Sequence, residues 1–170
     1  GGGRVDNAVL ALADVVWPSD ETGPRDRLAI QHGFLAAYPP HVMSSWVTDE
    51  PDRLDTEPAS LEFRFVVAMA GVLGIGADLL TWTPAERDRA RELVALYREI
   101  RPACTTGRIS RYNATSYPVY AVQYSTDDRT VLLAWRRPGA GPLRVPVGDG
   151  VVEVPFRLAP DCDVVVLDRA

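Results

Sequence analysis

One aspartate stands where the sequence could place a catalytic carboxylate. Asp20 is the last residue of the segment at residues 17–20 (WPSD). This segment begins at Trp17, the last residue of the short apolar run at residues 14–17 (DVVW). In α/β barrels the catalytic side chains lie just past the carboxyl ends of strands, and a carboxyl group placed there can donate and accept protons. The same pattern also suits an ordinary capping turn, in which Ser and Asp side chains bind nearby backbone N–H groups. At this point both interpretations stay open.

The residue content excludes several other chemistries. All 18 cationic side chains are arginines, so a Schiff-base lysine and the lysine of a phosphate-binding loop are both absent. Cys104 and Cys162 have no CxxC partner, and with His32 and His41 they match no common zinc-site spacing. The acidic loop at residues 48–58 lacks the glycine and terminal glutamate of a calcium loop. We therefore expect no metal and no cofactor.

The charge and the hydropathy of the chain limit the kinds of partner that it can bind. The chain has 170 residues and a net charge of -5, and this acidic balance disfavours binding to nucleic acid, which depends on clustered cations. It contains no run of 18 apolar residues and no signal-peptide pattern, so we expect no membrane segment and a cytoplasmic protein. This length accommodates one ordinary domain or two small ones.

Helices and strands alternate in the first part of the chain, which predicts an α/β arrangement. Apolar periodicity and breakers predict short strands at residues 14–17 and 42–47. Thr83 and Glu86 form a capping-box pattern that should begin a helix ending near Pro102, with Ala90 and Leu93 on its inner face. The predicted helices span residues 5–13, 25–37, 61–73 and 84–102.

After about residue 105 the pattern changes to short strands between turns. We therefore predict two domains, residues 1–104 and residues 105–170, the second an all-β antiparallel sandwich. Asp127 and Asp128 should form a hairpin turn. The predicted strands span residues 117–125, 130–135, 143–147, 151–156 and 164–167.

Four segments, taken in order, resemble the C-terminal part of the family 36 glycoside hydrolases, which are chiefly α-galactosidases. They are GGGRVD, VVWPSDETGPRDRLAIQHGFLAAYPPHVMSSWV, LEFRFVVAMAGVLGIGADL and LVALYREIRP. This resemblance implies the last two strands and helices of a (β/α)8 TIM barrel, followed by a small C-terminal antiparallel β-sandwich. The family usually has Gly-small-His where residues 44–46 are Ser-Ser-Trp.

The resemblance also implies roles for individual residues. Asp20 would be the general acid/base of a retaining α-galactosidase, and Gly1, Gly2 and Trp17 would bind the substrate, a terminal α-galactoside of the melibiose or raffinose type. The family's nucleophile follows an earlier strand in a Lys-Trp-Asp type of motif, and this chain has no lysine. We expect a C-terminal fragment that is inactive alone, from an enzyme that forms homo-oligomers.

Other functions fit the same residues. A transglycosidase of the family that transfers galactose, or an α-N-acetylgalactosaminidase, would share these motifs. A non-catalytic structural or oligomerisation module would use the WPSD segment only as a turn. The position of Asp20 should distinguish the module, in which it caps the following helix, from an enzyme, in which it lies in a concave, polar site at the carboxyl end of the strand, beside the loop that contains Gly1.

Overall fold

In the computed structural model, residues 5–21, 23–49, 58–113 and 118–168 are described. The helices are α1 (Asn7–Leu10), α2 (Pro24–Phe34), α3 (Leu61–Ala68) and α4 (Pro84–Thr106), with a 3-10 turn at Pro40–Val42. The strands are β1 (Ser44–Val47), β2 (Val72–Ile75), β3 (Arg108–Tyr112), β4 (Val119–Ser125), β5 (Arg129–Arg136), β6 (Arg144–Val147), β7 (Gly150–Glu153) and β8 (Cys162–Asp168). None of the described helices is both long enough and apolar enough to cross a membrane.

Three segments of the first part run side by side in the same direction. Strands β1 and β2 pair in parallel, and Val16 forms a parallel bridge with Met43, the residue before β1. The bridge is held by two backbone hydrogen bonds, from the Val16 N–H to Val42 at 2.8 Å and from the Ser44 N–H to Val16 at 2.9 Å. The carboxyl ends of these segments therefore lie at one edge.

The strand predicted at residues 14–17 is reduced to this single bridge. Asp14 and Val15 are exposed, while Val16 is buried. The prediction of a buried strand over all of these residues was wrong, because within the described chain only Val16 makes ladder hydrogen bonds.

The prediction of a helix at residues 61–73 was also wrong at the C-terminal end. Helix α3 ends at Ala68, and β2 begins four residues later at Val72. A continuous apolar run fits a buried helix and a buried strand equally well, so periodicity gives no warning of the change. At the turn, a Cβ on Gly71 would lie 2.6 Å from the Met43 carbonyl oxygen, so only glycine allows this approach.

Helix α4 begins as the sequence predicts and ends later. The capping box between Thr83 and Glu86 is present, and the stripe predicted to pack inward is buried. The predicted end near Pro102 was wrong, since the helix continues to Thr106. The hydroxyl groups of Thr105 and Thr106 donate to the carbonyls of Arg101 and Pro102, both at 2.8 Å, which is the usual bond from a helical Thr side chain to the carbonyl four residues before it.

The second part contains a four-stranded antiparallel sheet in the order β3-β4-β5-β8 and a separate hairpin, β6-β7. Strands β4, β5, β6 and β8 lie where the sequence predicts them. The strand predicted at residues 151–156 was wrong at its end, since β7 stops at Glu153, and β3 was not predicted. Both faces of the sheet are covered, which explains the nearly continuous apolar sequence of β5. Val131 and Leu133 face the core shared with α3 and α4, and Leu132 and Ala134 face the hairpin.

Candidate active site

The loops after the three parallel segments bring polar side chains to one edge. Residues 17–20 follow Val16, Asp49 follows β1, and Asp78 follows β2. The Asp49 carboxylate accepts the backbone N–H of Asp78 at 3.0 and 3.1 Å, which ties the two neighbouring loops together. In α/β folds, binding sites lie at this edge of the sheet.

Asp20 is exposed at this edge and does not cap α2. The N-cap residue of α2 is Gly23, and no side chain caps the helix. Instead Ser19 Oγ accepts the Glu21 N–H at 3.1 Å, and Glu21 Oε1 accepts the Gly23 N–H at 2.8 Å. Among the residues that the structure describes, none hydrogen-bonds with the Asp20 carboxylate.

The Trp17 ring lies between two other side chains. The Arg27 guanidinium carbon is 5.3 Å from the Trp17 ring, a distance at which cation–π attraction operates. The centroid of the Trp46 ring lies 5.2 Å from that of Trp17, with the planes tilted by 47°. The indole N–H of Trp17 is buried and has no acceptor among the described residues.

Trp46 lies on the face of β1 that points away from the helices. Side chains alternate along a strand, and Ser45 and Val47 are buried while Ser44 and Trp46 are half-buried. The Trp46 indole N–H donates to Ser44 Oγ at 2.6 Å. Trp46 pairs in register with Gly74 of β2, whose missing side chain leaves space for the ring.

Arg27 is the charged residue that sequence reasoning missed. Its side chain is fully buried, and Nη2 donates to the Ser19 carbonyl at 3.4 Å. Burial lowers the pKa of Arg27, and the nearby Glu21 carboxylate partly offsets this effect. Arg27 and Gln31 are buried polar residues four positions apart on α2. This i, i+4 spacing of polar residues on an inward face is the signal that could have identified them.

The predicted site residues divide into two groups. Trp17 and Asp20 lie at the same edge, three residues apart and on one turn. Gly1 and Gly2 lie outside the described residues. The two histidines lie elsewhere: His32 is on α2 and contacts Tyr120 of β4 at 3.0 Å, and His41 is exposed in the 3-10 turn.

Residues 1–107 match the sequence model of the Melibiase family. The chain belongs to the melibiase family. Within this family it is 33% identical over 111 residues to alpha-galactosidase 1 of Pediococcus pentosaceus. It is 34% identical over 111 residues to alpha-galactosidase AgaA of Geobacillus stearothermophilus. Each match covers 65% of this chain and 15% of the relative, so this melibiase-family chain spans only a small part of the length of those enzymes.

Solved structures extend the similarity to the whole described fold. The crystal structure of GH36 alpha-galactosidase AgaB from Geobacillus stearothermophilus matches 98% of this chain and 27% of its own, with a TM-score of 0.84 and 25% identity. A variant of AgaA from the same organism, in complex with stachyose, gives the same values. The predicted resemblance to family 36 is therefore confirmed, as is a mixed fold of helices and sheets.

Proposed function

We propose that this chain forms the end of the catalytic barrel of a retaining α-galactosidase, together with the β-sandwich that follows the barrel. The observation that carries the proposal is the Asp20 carboxylate, exposed beside Trp17 at the carboxyl edge of the parallel segments. Since the turn is built by Ser19 and Glu21, this carboxylate is free for proton transfer. The curated relatives are named alpha-galactosidases, which supports the same reaction here.

In the first step, a carboxylate from another part of the enzyme attacks the anomeric carbon of a terminal α-galactosyl group. Asp20 donates its proton to the glycosidic oxygen as the bond from carbon to oxygen breaks, and the leaving sugar departs as an alcohol. The products of this step are a galactosyl-enzyme ester and an ionised Asp20.

In the second step, Asp20 acts as the base. It takes a proton from a water molecule whose oxygen attacks the anomeric carbon and displaces the enzyme carboxylate. Galactose leaves with the original anomeric configuration, and both carboxyl groups return to their starting states. This double displacement requires the two carboxyl groups to lie about 5 to 5.5 Å apart.

Other residues would bind the sugar, and the two parts of the chain would form the barrel end and the sandwich. Trp17 would form an apolar wall against the sugar, and Gly1 and Gly2 would line the galactose pocket, where side chains would obstruct the ligand. Residues 1–104 would complete the barrel and residues 105–170 would form the sandwich. Substrates would be α-galactosides of the raffinose series, in line with the AgaA variant crystallised with stachyose.

The test compares Asp20→Asn with the wild type in an enzyme that also includes the polypeptide encoded before Gly1. General acid–base catalysis contributes about 10² to 10⁴-fold, so raffinose turnover should fall by about that factor. A nitrophenyl α-galactoside needs little protonation of its leaving group. Its cleavage should stall at the second step, and azide, which attacks without a base, should restore turnover.

Asp14→Asn is the matched control, because Asp14 is exposed on the amino side of the Val16 bridge. It should retain both activities. If Asp20→Asn also retains both activities, the WPSD turn is structural, and the non-catalytic module becomes the better description. An active fragment without the preceding polypeptide would contradict the assignment of the nucleophile to another part of the enzyme.

A further inference from the structure

Arg27 occupies a position that is unfavourable for a cation in three respects. Its side chain has no exposed surface, and burial of a charge is costly unless the charge is well paired. It lies in the first turn and a half of α2, which begins at Pro24, where the helix dipole repels positive charge. Its Nε and Nη1 groups have no acceptor among the described residues.

Among the described residues, the ring contact and the hydrogen bond of the Arg27 side chain are with the segment around Asp20. Its guanidinium lies over the Trp17 ring at 5.3 Å, and Nη2 donates to the Ser19 carbonyl at 3.4 Å. It is also attracted by the carboxylate of Glu21. A single rigid group therefore contacts the segment before Asp20 and attracts the residue after it.

Helix α2 is in turn fixed to the sheet. Gln31 lies one turn after Arg27 on the same buried face, and its Nε2 donates to Ser45 Oγ of β1. The guanidinium thus connects the WPSD turn to a helix that is itself hydrogen-bonded to a strand.

We propose that Arg27 is a positioning residue: it holds residues 17–20 in one conformation and thereby directs the Asp20 carboxylate at the glycosidic oxygen. This inference rests on the proposed function, because it assumes the acid/base role of Asp20. The planar guanidinium suits the task, since its face can stack on an aromatic ring while its edge hydrogen-bonds a carbonyl, whereas an ammonium group has no planar face to stack.

The test uses Arg27→Met and Arg27→Lys in the same enzyme that tests Asp20. A displacement of about 1 Å in a reacting group can cost about 10²-fold in rate, so Arg27→Met should lower kcat on raffinose by about 10 to 100-fold. The kcat on the nitrophenyl α-galactoside should fall less, and azide should increase it. Arg27→Lys keeps the charge without the planar group and should show the same pattern to a smaller extent.

Arg25→Met is the matched control on the same helix. Arg25 also lies over an aromatic ring, that of Phe63 at 4.9 Å, and also donates to a backbone carbonyl, that of Pro58 at 3.3 Å. These two contacts are with α3 and with Pro58, which lies shortly before it. The control should keep the wild-type ratio of the two activities.

The outcomes separate the two proposals. If the wild-type enzyme cleaves neither substrate, the proposed function fails and this inference fails with it. If the wild type is active but Arg27→Met loses both activities equally and azide has no effect, Arg27 only stabilises the fold and the inference alone is overturned. If Arg27→Met does not accumulate as folded enzyme, Arg27→Lys takes its place in the test. A larger loss on raffinose than on the nitrophenyl α-galactoside then supports the inference, and an equal loss on both substrates overturns it.

Discussion

The Trp46 ring lies against Gly74 of the neighbouring strand so closely that a Cβ on Gly74 would meet three ring carbons at 3.1 to 3.2 Å. The ring has little freedom to move away, because its N–H donates to Ser44 Oγ at 2.6 Å and it also contacts Trp17. A Cβ on Gly76 would likewise lie 3.0 Å from the ring, so the missing side chains of Gly74 and Gly76 together leave the space that Trp46 occupies.

Gly74→Ala should destabilise the protein by about 1 to 3 kcal/mol, the usual cost of overpacking. The free energy of unfolding, measured with urea, tests this. Gly33→Ala is the control, because Gly33 lies in α2 and a Cβ there would meet nothing within 4 Å. That substitution should stabilise the protein by about 0.5 to 1 kcal/mol through helix propensity. An equal response of both variants would show that the Trp46 contact does not constrain Gly74.

Two tyrosine hydroxyls hold the turn between α3 and β2. Tyr97 Oη donates to the Gly71 carbonyl at 2.8 Å, and Tyr124 Oη donates to the Ala70 carbonyl at 3.0 Å. Tyr97→Phe and Tyr124→Phe should each cost about 1 to 3 kcal/mol of unfolding free energy, because each leaves a buried carbonyl without a donor.

Tyr112→Phe provides the comparison for this pair. Tyr112 is half-buried, and its hydroxyl bonds to Gln123 and to the exposed Pro146 carbonyl, and water can replace the hydroxyl at the Pro146 carbonyl. Its loss should cost less than about 1 kcal/mol. Similar losses for all three tyrosines in urea unfolding would mean that the turn does not depend on its buried hydrogen bonds.

The features that the sequence predicted correctly have local causes. The start of α4 follows from Thr83 and Glu86, three residues apart, and the hairpin between β4 and β5 follows from its turn residues. Of the apolar run before Trp17 and Asp20, only Val16 pairs with a neighbouring segment, so the strand predicted there was correct at that one residue.

The features that were missed depend on contacts between distant segments. Strand β2 lies within an apolar stretch that has no polar residue to reveal its period, and it becomes a strand because β1 offers a parallel partner. The contact between Trp17 and Trp46 requires the pairing of Val16 with Met43. The spacing of Arg27 and Gln31 on α2 could have shown that both are buried, but the contacts of Arg27 with Trp17 and Ser19 depend on how the preceding loop folds.

The capping box of α4 gives a prediction about stability and pH. Thr83 Oγ1 accepts the Glu86 N–H at 3.2 Å, and the Glu86 carboxylate accepts the Thr83 N–H at 2.8 Å. Thr83→Ala should cost about 0.5 to 2 kcal/mol, whereas Thr83→Ser keeps the hydroxyl and should cost less. Urea unfolding at neutral pH distinguishes them.

The hydrogen bonds from Thr83 lower the pKa of Glu86. A lowered pKa in the folded state means that the carboxylate contributes stability above its ordinary pKa, and that this contribution is lost as the pH falls through the folded-state value. The difference in unfolding free energy between the wild type and Glu86→Gln should therefore shrink on acidification. A difference that stays constant from neutral to acidic pH would contradict an ionic contribution from Glu86.

The contact between His32 and Tyr120 joins α2 to the sheet and should make stability sensitive to mild acid. Burial, and then the positive charge of Arg111, lower the pKa of His32, and Arg111 donates to the His32 carbonyl at 2.9 Å. The unfolded chain binds a proton near the ordinary histidine pKa of about 6.5, before the folded chain does, so the free energy of unfolding should fall as the pH drops below that value.

Urea unfolding between pH 8 and pH 5 measures this dependence. His32→Gln should reduce the slope in this range, because the side chain no longer titrates, and His41→Gln should leave the His32 contribution in place, because His41 is exposed in the 3-10 turn. If His32→Gln leaves the slope unchanged, burial and Arg111 do not disfavour the charged form of His32 in the folded protein.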